Sequence, residues 1–172
     1  ALAALMGAAP PPASAWTITP LDETGDVGWF ASLALNSAGN GCIAYHDATA
    51  GDLKYPEMSS GTWTIETVDS PGVTGWYTSL ALDSADRPRI AYWDLTNSAL
   101  RYAHKEGAIW TKELVDNSAY VGQTCCLDLD SAERPHISYY DHTNGDLKYA
   151  RWDGGQWVVE VVDSGPAQLG TG

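Results

Sequence analysis

The chain has 172 residues, 44% of them hydrophobic and 18% charged, and 22 acidic side chains against 9 lysines and arginines give a formal charge of −13. That composition is too apolar for intrinsic disorder, and no run reaches the roughly 18 apolar residues of a membrane-spanning helix. Acidity spread along the sequence repels a phosphate backbone and an anionic lipid surface, so neither nucleic acid nor membrane is expected as a partner. Three cysteines, two of them adjacent at Cys125 and Cys126, do not make a disulfide framework.

Residues 1–15, ALAALMGAAPPPASA, combine a short apolar stretch with prolines and then small side chains at Ala13 and Ala15. This is the pattern of the tail of a secretory signal peptide, with cleavage placing Trp16 at the mature start. The expectation is a secreted, extracellular protein. An Ala/Pro-rich linker ahead of a domain is the competing reading.

From Trp16 onward the sequence repeats. Trp16, Trp63, Trp110 and Trp157 are each 47 residues apart, and residues 63–109 laid over 110–156 give 22 identities without a gap. Residues 16–62 over 63–109 give 20. The units are therefore 16–62, 63–109 and 110–156, with 157–172 opening a further one.

Each unit holds four short runs rich in β-branched and aromatic residues, bounded by Gly, Pro, Asp, Asn or Ser. In the second unit they lie at 64–68, 78–82, 89–93 and 99–104. The connections, such as Asp83-Ser84-Ala85-Asp86-Arg87-Pro88 and Asp94-Leu95-Thr96-Asn97-Ser98, carry side chains that favour Asx-type turns. No stretch after residue 15 keeps a 3.6-residue apolar period, so helices are not expected. Four short antiparallel strands per 47 residues predict an all-β fold of four-stranded antiparallel blades, a β-propeller, in preference to a linear β-solenoid. The repeated tryptophans would fill the space between blades.

The recurring S-L-A-L-[DN]-S-A, R-P-x-I-[AS]-Y-[WY]-D and T-N-x-x-L-[KR]-Y-A resemble the blade repeat of secreted bacterial β-propellers related to the sialidase-like and lectin-like superfamily. The resemblance covers nearly all of 16–172. It implies the fold, but such propellers serve as lectins, adhesion modules and glycoside hydrolase scaffolds alike. An Asp-box, S-x-D-x-G-x-T-W, is not matched: the nearest segment is Asp153-Gly154-Gly155-Gln156-Trp157.

Three units do not close a ring, since propellers use about four to eight blades. The expected arrangement is a fragment of a larger ring. Closure would come from further blades in the same chain, which is the favoured reading, or from a homo-oligomer.

Candidate ligand contacts are sought where the units differ. His46, Trp93 and Tyr140 stand before the repeated Asp47, Asp94 and Asp141, and His142 follows the last of these. Nearby, Trp29-Phe30 and Trp76-Tyr77 give way to Gln123-Thr124. Aromatic and imidazole side chains beside carboxylates offer a sugar both a flat apolar face and hydrogen-bonding groups. The alternatives are inter-blade packing for Trp93 and Tyr140, and turn formation for the aspartates, which is favoured. Asp128 replaces Ala34 and Ala81 of the other units, and as part of an innermost strand it is expected to face the channel.

Zinc, redox, nucleophile-elbow and phosphate-loop patterns are absent from the sequence, so no cofactor or metal is expected, and calcium has no supporting loop. The sequence therefore points first to a non-catalytic module that binds glycan or protein. A sialidase-like or other glycoside hydrolase with its acids in missing blades, and a structural adhesion repeat, are the alternatives.

Overall fold

The computed structural model describes residues 18–165. The proposed signal segment, 1–15, lies outside them. The described residues form twelve strands and no helix: β1 (Trp29–Leu35), β2 (Gly41–Asp47), β3 (Asp52–Ser59), β4 (Thr62–Asp69), β5 (Thr74–Leu82), β6 (Pro88–Asp94), β7 (Ala99–Glu106), β8 (Ile109–Asp116), β9 (Val121–Leu129), β10 (Pro135–Asp141), β11 (Asp146–Trp152) and β12 (Trp157–Asp163). They pair antiparallel into three four-stranded meanders, β1–β4, β5–β8 and β9–β12. These are the blades that the repeat predicts, and the three do not close on themselves.

The sheets and the repeat units are one strand out of step. The strand led by Trp63 pairs with β3 and ends the first sheet, and the strand led by Trp157 pairs with β11 and ends the third rather than opening a further one. The physical reason is local. Tight hairpins such as Ser59-Ser60-Gly61-Thr62 hold the tryptophan strand to the strand before it, whereas a longer connection, residues 70–73, carries the chain to the next sheet.

Strand alternation divides each sheet into two faces, and consecutive sheets stack face to face. At the first joint, Ala44, Leu53, Tyr55 and Val68 of the first sheet meet Leu80, Ile90, Tyr92 and Ala103 of the second. At the second joint the equivalents one repeat later, Ala91, Leu100, Tyr102 and Val115, meet Leu127, Ile137, Tyr139 and Ala150. Burying a side chain of this size contributes roughly 1.5–3 kcal/mol, so each joint makes a large apolar contribution to the fold.

The first strands β1, β5 and β9 lie side by side on the inner edge, with β5 packed on both of the others. Each carries a bulge, and Phe30, Tyr77 and Thr124 at the bulges have φ of 54°, 51° and 48°. Glycine precedes the bulge where backbone must pass close. A Cβ on Gly75 would stand 2.9 Å from Leu53 Cα, and one on Gly122 2.8 Å from Leu100 Cα.

Polar latches repeat with the core. Tyr92 donates to Asp69 at 2.8 Å and Tyr139 to Asp116 at 2.6 Å, each across a joint. The Ser37 and Ser84 backbone N–H groups likewise donate to Asp86 and Glu133 of the following sheet.

Candidate functional site

The second joint opens into a pocket of about 270 Å³ near its outer edge. The second sheet lines it with Arg89 from β6, Tyr102 and His104 from β7, and Glu113 from β8. The third supplies Glu133, Arg134 and Pro135 around the start of β10, Trp152 from β11 and Trp157 from β12. On β7 the period of two puts Tyr102 and His104 on one face, where their rings stack at 5.7 Å. Trp157 meets Tyr102 edge-on at 5.3 Å and Trp152 at 5.7 Å, giving three aromatic walls around one space.

Glu113 is the polar anchor. Its Oε2 accepts the Trp157 indole N–H at 2.8 Å, and its Oε1 lies 3.2 Å from His104 Nε2. The cationic groups on the wall are largely committed. Arg89 Nη2 donates to Asp83 at 2.6 Å and to Glu106 at 3.0 Å, while Arg134 is held by Asp130. Burial opposes ionisation of Asp83, but bonds from the Arg87 and Ala85 backbone and from both arginine side chains outweigh it, so its carboxyl stays below the usual range. Burial raises the Tyr102 phenol above its ordinary value, so it is a neutral donor at neutral pH. Two buried polar atoms on the wall, Arg89 Nε and His104 Nδ1, have no hydrogen-bond partner.

The first joint has the same plan with the space closed. Forty-seven residues earlier, Cys42 stands for Arg89, Glu57 for His104 and Glu66 for Glu113, while Lys105 stands for Trp152 and Trp110 for Trp157. Trp110 donates to Glu66 at 2.8 Å as Trp157 does to Glu113. Lys105 Nζ also donates to Glu66, at 2.6 Å, and sits over the Trp110 ring. Burial opposes ionisation of Glu66, and the Lys105 and Trp110 bonds overcome it.

The residues singled out from the sequence lie elsewhere, toward the inner edge and the β2–β3, β6–β7 and β10–β11 turns. Asp47 Oδ1 accepts the Thr49 and Ala50 N–H groups, Asp94 accepts from the Asn97 backbone and amide, and Asp141 does the same with Asn144. All three are buried, and Lys54, Arg101 and Lys148 stand against their carboxylates, so these groups serve the fold's own turns and strands. His46 is buried too, with Nδ1 2.7 Å from the Thr74 carbonyl and Nε2 accepting the Trp76 indole N–H at 3.1 Å, which ties the first sheet to the second. Trp93 is enclosed by Trp76, Tyr77 and Tyr120. Tyr140 is half-buried and His142 exposed, in edge contact at 6.1 Å.

Asp128 is not placed in a channel. Its counterparts Ala34 and Ala81 pack into the joints, so strand alternation puts Asp128 on the joint-forming face of the third sheet, where it is exposed because no blade covers it.

The sequence reading missed the second-joint pocket because it draws on six strands of two sheets. The signal was present in the exchange of Lys105 for Trp152 and of Glu57 for His104.

Among solved structures the chain is similar to a fucose lectin from Kordia zhangzhouensis, crystallised with methyl-fucoside, at 20% identity and a TM-score of 0.54 over 76% of this chain and 96% of that one. It is also similar to an arginine-substituted mutant of AofleA from Arthrobotrys oligospora, at 14% identity and a TM-score of 0.54. That match covers 78% of this chain and 42% of the other. These likenesses show the fold. No protein-family model and no curated protein sequence matches the chain. Among the described residues no group of three or more His, Cys, Asp or Glu is placed to hold a metal ion.

Proposed function

We propose that this chain is part of a secreted, non-catalytic β-propeller that binds glycans, and that the second-joint pocket is its ligand site. The observation that carries the reading is the pocket's mixture. Three aromatic walls stand beside a carboxylate, a histidine and an arginine, and this combination of flat apolar faces with polar groups is what a sugar ring with hydroxyl groups requires. The fold likeness to a lectin solved with methyl-fucoside adds to it. Of the residues proposed from the sequence, Tyr140 and His142 retain access to solvent and stand as a secondary contact surface.

Further blades complete the ring in this reading. Leu33 and Leu35 on the outer face of the first sheet are 65% and 64% exposed, whereas Leu80, one repeat after Leu33, is 8% exposed inside a joint. Asp22 accepts the Tyr45 hydroxyl at 2.6 Å, as Asp69 does that of Tyr92, so the segment ahead of β1 takes the place of a preceding blade's last strand.

The test is binding of the purified chain to a glycan array, followed by titration calorimetry on the strongest ligand. Glu113→Gln and Trp157→Ala should each weaken binding at least about tenfold, the loss of one charge-assisted bond or one aromatic wall. Unchanged affinity in both variants would move the site elsewhere. Hydrolysis of a bound glycan would overturn the non-catalytic reading.

A further inference from the structure

The closed joint indicates what the open one takes. Lys105 is a primary ammonium on a flexible stem, and at the first joint it occupies the space between a glutamate and a tryptophan face: 2.6 Å from Glu66 Oε1 and 5.8 Å from the Trp110 ring centroid. An ammonium is favoured there by an ion pair and by the negative face of the indole. At the second joint the same glutamate and the same tryptophan are present as Glu113 and Trp157, joined by the same indole-to-carboxylate bond, at 2.8 Å in both joints. The internal lysine is gone, replaced by Trp152, which adds another aromatic face. The Glu113 side chain is 30% exposed, and among the described residues the one basic side chain paired with it is His104, an ion pair only when that imidazole is protonated.

We infer that the second-joint pocket binds a ligand amine, and that its glycan is an amino sugar with a free, protonated amino group seated between Glu113 and the rings of Trp152 and Trp157. The assignment rests on the glycan reading given above and names its substrate class. Arg89 and Arg134 on the same wall do not oppose it, because the first is neutralised by Asp83 and Glu106 and the second by Asp130. The chain's charge of −13 draws cations toward it generally. The local geometry gives the specificity: a carboxylate oxygen and an indole face set as they are around Lys105.

The experiment is titration calorimetry of the full chain with three probes at neutral pH: a glucosamine disaccharide, its N-acetylated counterpart and n-butylamine. Acetylation removes the charge and keeps the ring. The amino sugar should bind about five- to tenfold more tightly than the acetylated one, and Glu113→Gln should abolish that preference while near-UV circular dichroism stays unchanged. Trp152→Ala, which leaves the carboxylate in place, should reduce the preference as well. If the acetylated sugar binds as tightly as the free amine, the amino-sugar assignment is overturned and the glycan reading survives. If butylamine binds and neither sugar does, or if nothing binds, the amino-sugar assignment is overturned, and the glycan array alone decides the glycan reading.

Discussion

The Tyr139 hydroxyl donates to Asp116 Oδ2 at 2.6 Å across the second joint, and Lys148 Nζ reaches the same oxygen at 2.7 Å. All three residues are buried, with Lys148 7% exposed. Removing the hydroxyl in Tyr139→Phe takes one donor from a buried carboxylate and should cost about 2 kcal/mol of unfolding free energy. Asp116→Ala leaves Lys148 charged and buried, with the Ser118 hydroxyl at 2.9 Å and the Asp141 carboxylate at 3.5 Å in place of its close ion pair, and should cost about 3–5 kcal/mol. Urea denaturation of the two variants checks the order. Equal losses would mean that the joint is held by its apolar contacts alone.

The same carboxylate sets an acid limit. Burial by itself would raise its pKa, but the bonds from Lys148, Tyr139 and Ser118 outweigh that and hold it below the usual carboxylate value. A folded-state pKa lowered in this way contributes stability that is fully present above the unfolded value, near 3.9, and is lost as pH falls through the folded one. The urea midpoint should therefore drop as pH is lowered from about 5 toward 2. Asp116→Asn, which does not titrate, should show a shallower drop than the unsubstituted chain. Parallel curves would assign the acid sensitivity to other carboxylates.

Backbone positions make a sharper prediction, with opposite signs at two sites. Gly122 has φ of 102°, and a Cβ there would meet Leu100 Cα at 2.8 Å. Gly122→Ala forces both left-handed strain and a shift of the neighbouring strand, so a loss of about 2–4 kcal/mol is expected. Ser98 occupies with φ of 53° the turn position filled by Gly51 and Gly145 in the other blades. Ser98→Gly relieves that strain and loses part of the gain to unfolded-chain entropy, for a net increase of about 0.5 kcal/mol. Thermal unfolding of both variants reads the two signs.

Much of this architecture was legible in the sequence because the repeat states the same instruction three times. Trp, Tyr-x-Asp and Leu-Lys/Arg-Tyr recur at fixed offsets, so strand number and order followed without any contact being known. The assignment of Asp47, Asp94 and Asp141 to turns could likewise be weighed from the Thr or Asn that follows each. Phase was not legible: Trp63 reads as the start of a unit, and only the hairpin at Ser60-Gly61, with φ of 51° and 78°, ties its strand backward. Asp128 was assigned to the channel because its strand is innermost, whereas the side-chain direction depends on which of two alternating faces meets the next sheet. The pocket was the least legible feature, since Tyr102 and Trp157 are 55 positions apart in the chain and meet only because consecutive sheets stack.

The two outermost faces carry the last prediction. Leu53 and Leu100 are fully buried in the joints, and their counterpart Leu147 on the third sheet is 45% exposed. Val68 and Val115 are 3% and 8% exposed, and their counterpart Val162 is 60% exposed. At the other end Leu33 is exposed where Leu80 and Leu127 are buried. Each free face thus bears the residues that elsewhere make a joint, and the two faces are complementary, since one is of the kind that receives a blade and the other of the kind that is received. Isolated in solution, the chain should associate face to face in a concentration-dependent way, with light scattering giving a mass above 18.4 kDa. Leu33→Glu places a charge at the centre of one face and touches neither internal joint, so it should restore the monomer mass with far-ultraviolet circular dichroism unchanged. Association that persists in Leu33→Glu would mean that the contact runs through sheet edges instead, and Val161→Lys on the exposed edge strand β12 would then be the variant that breaks it.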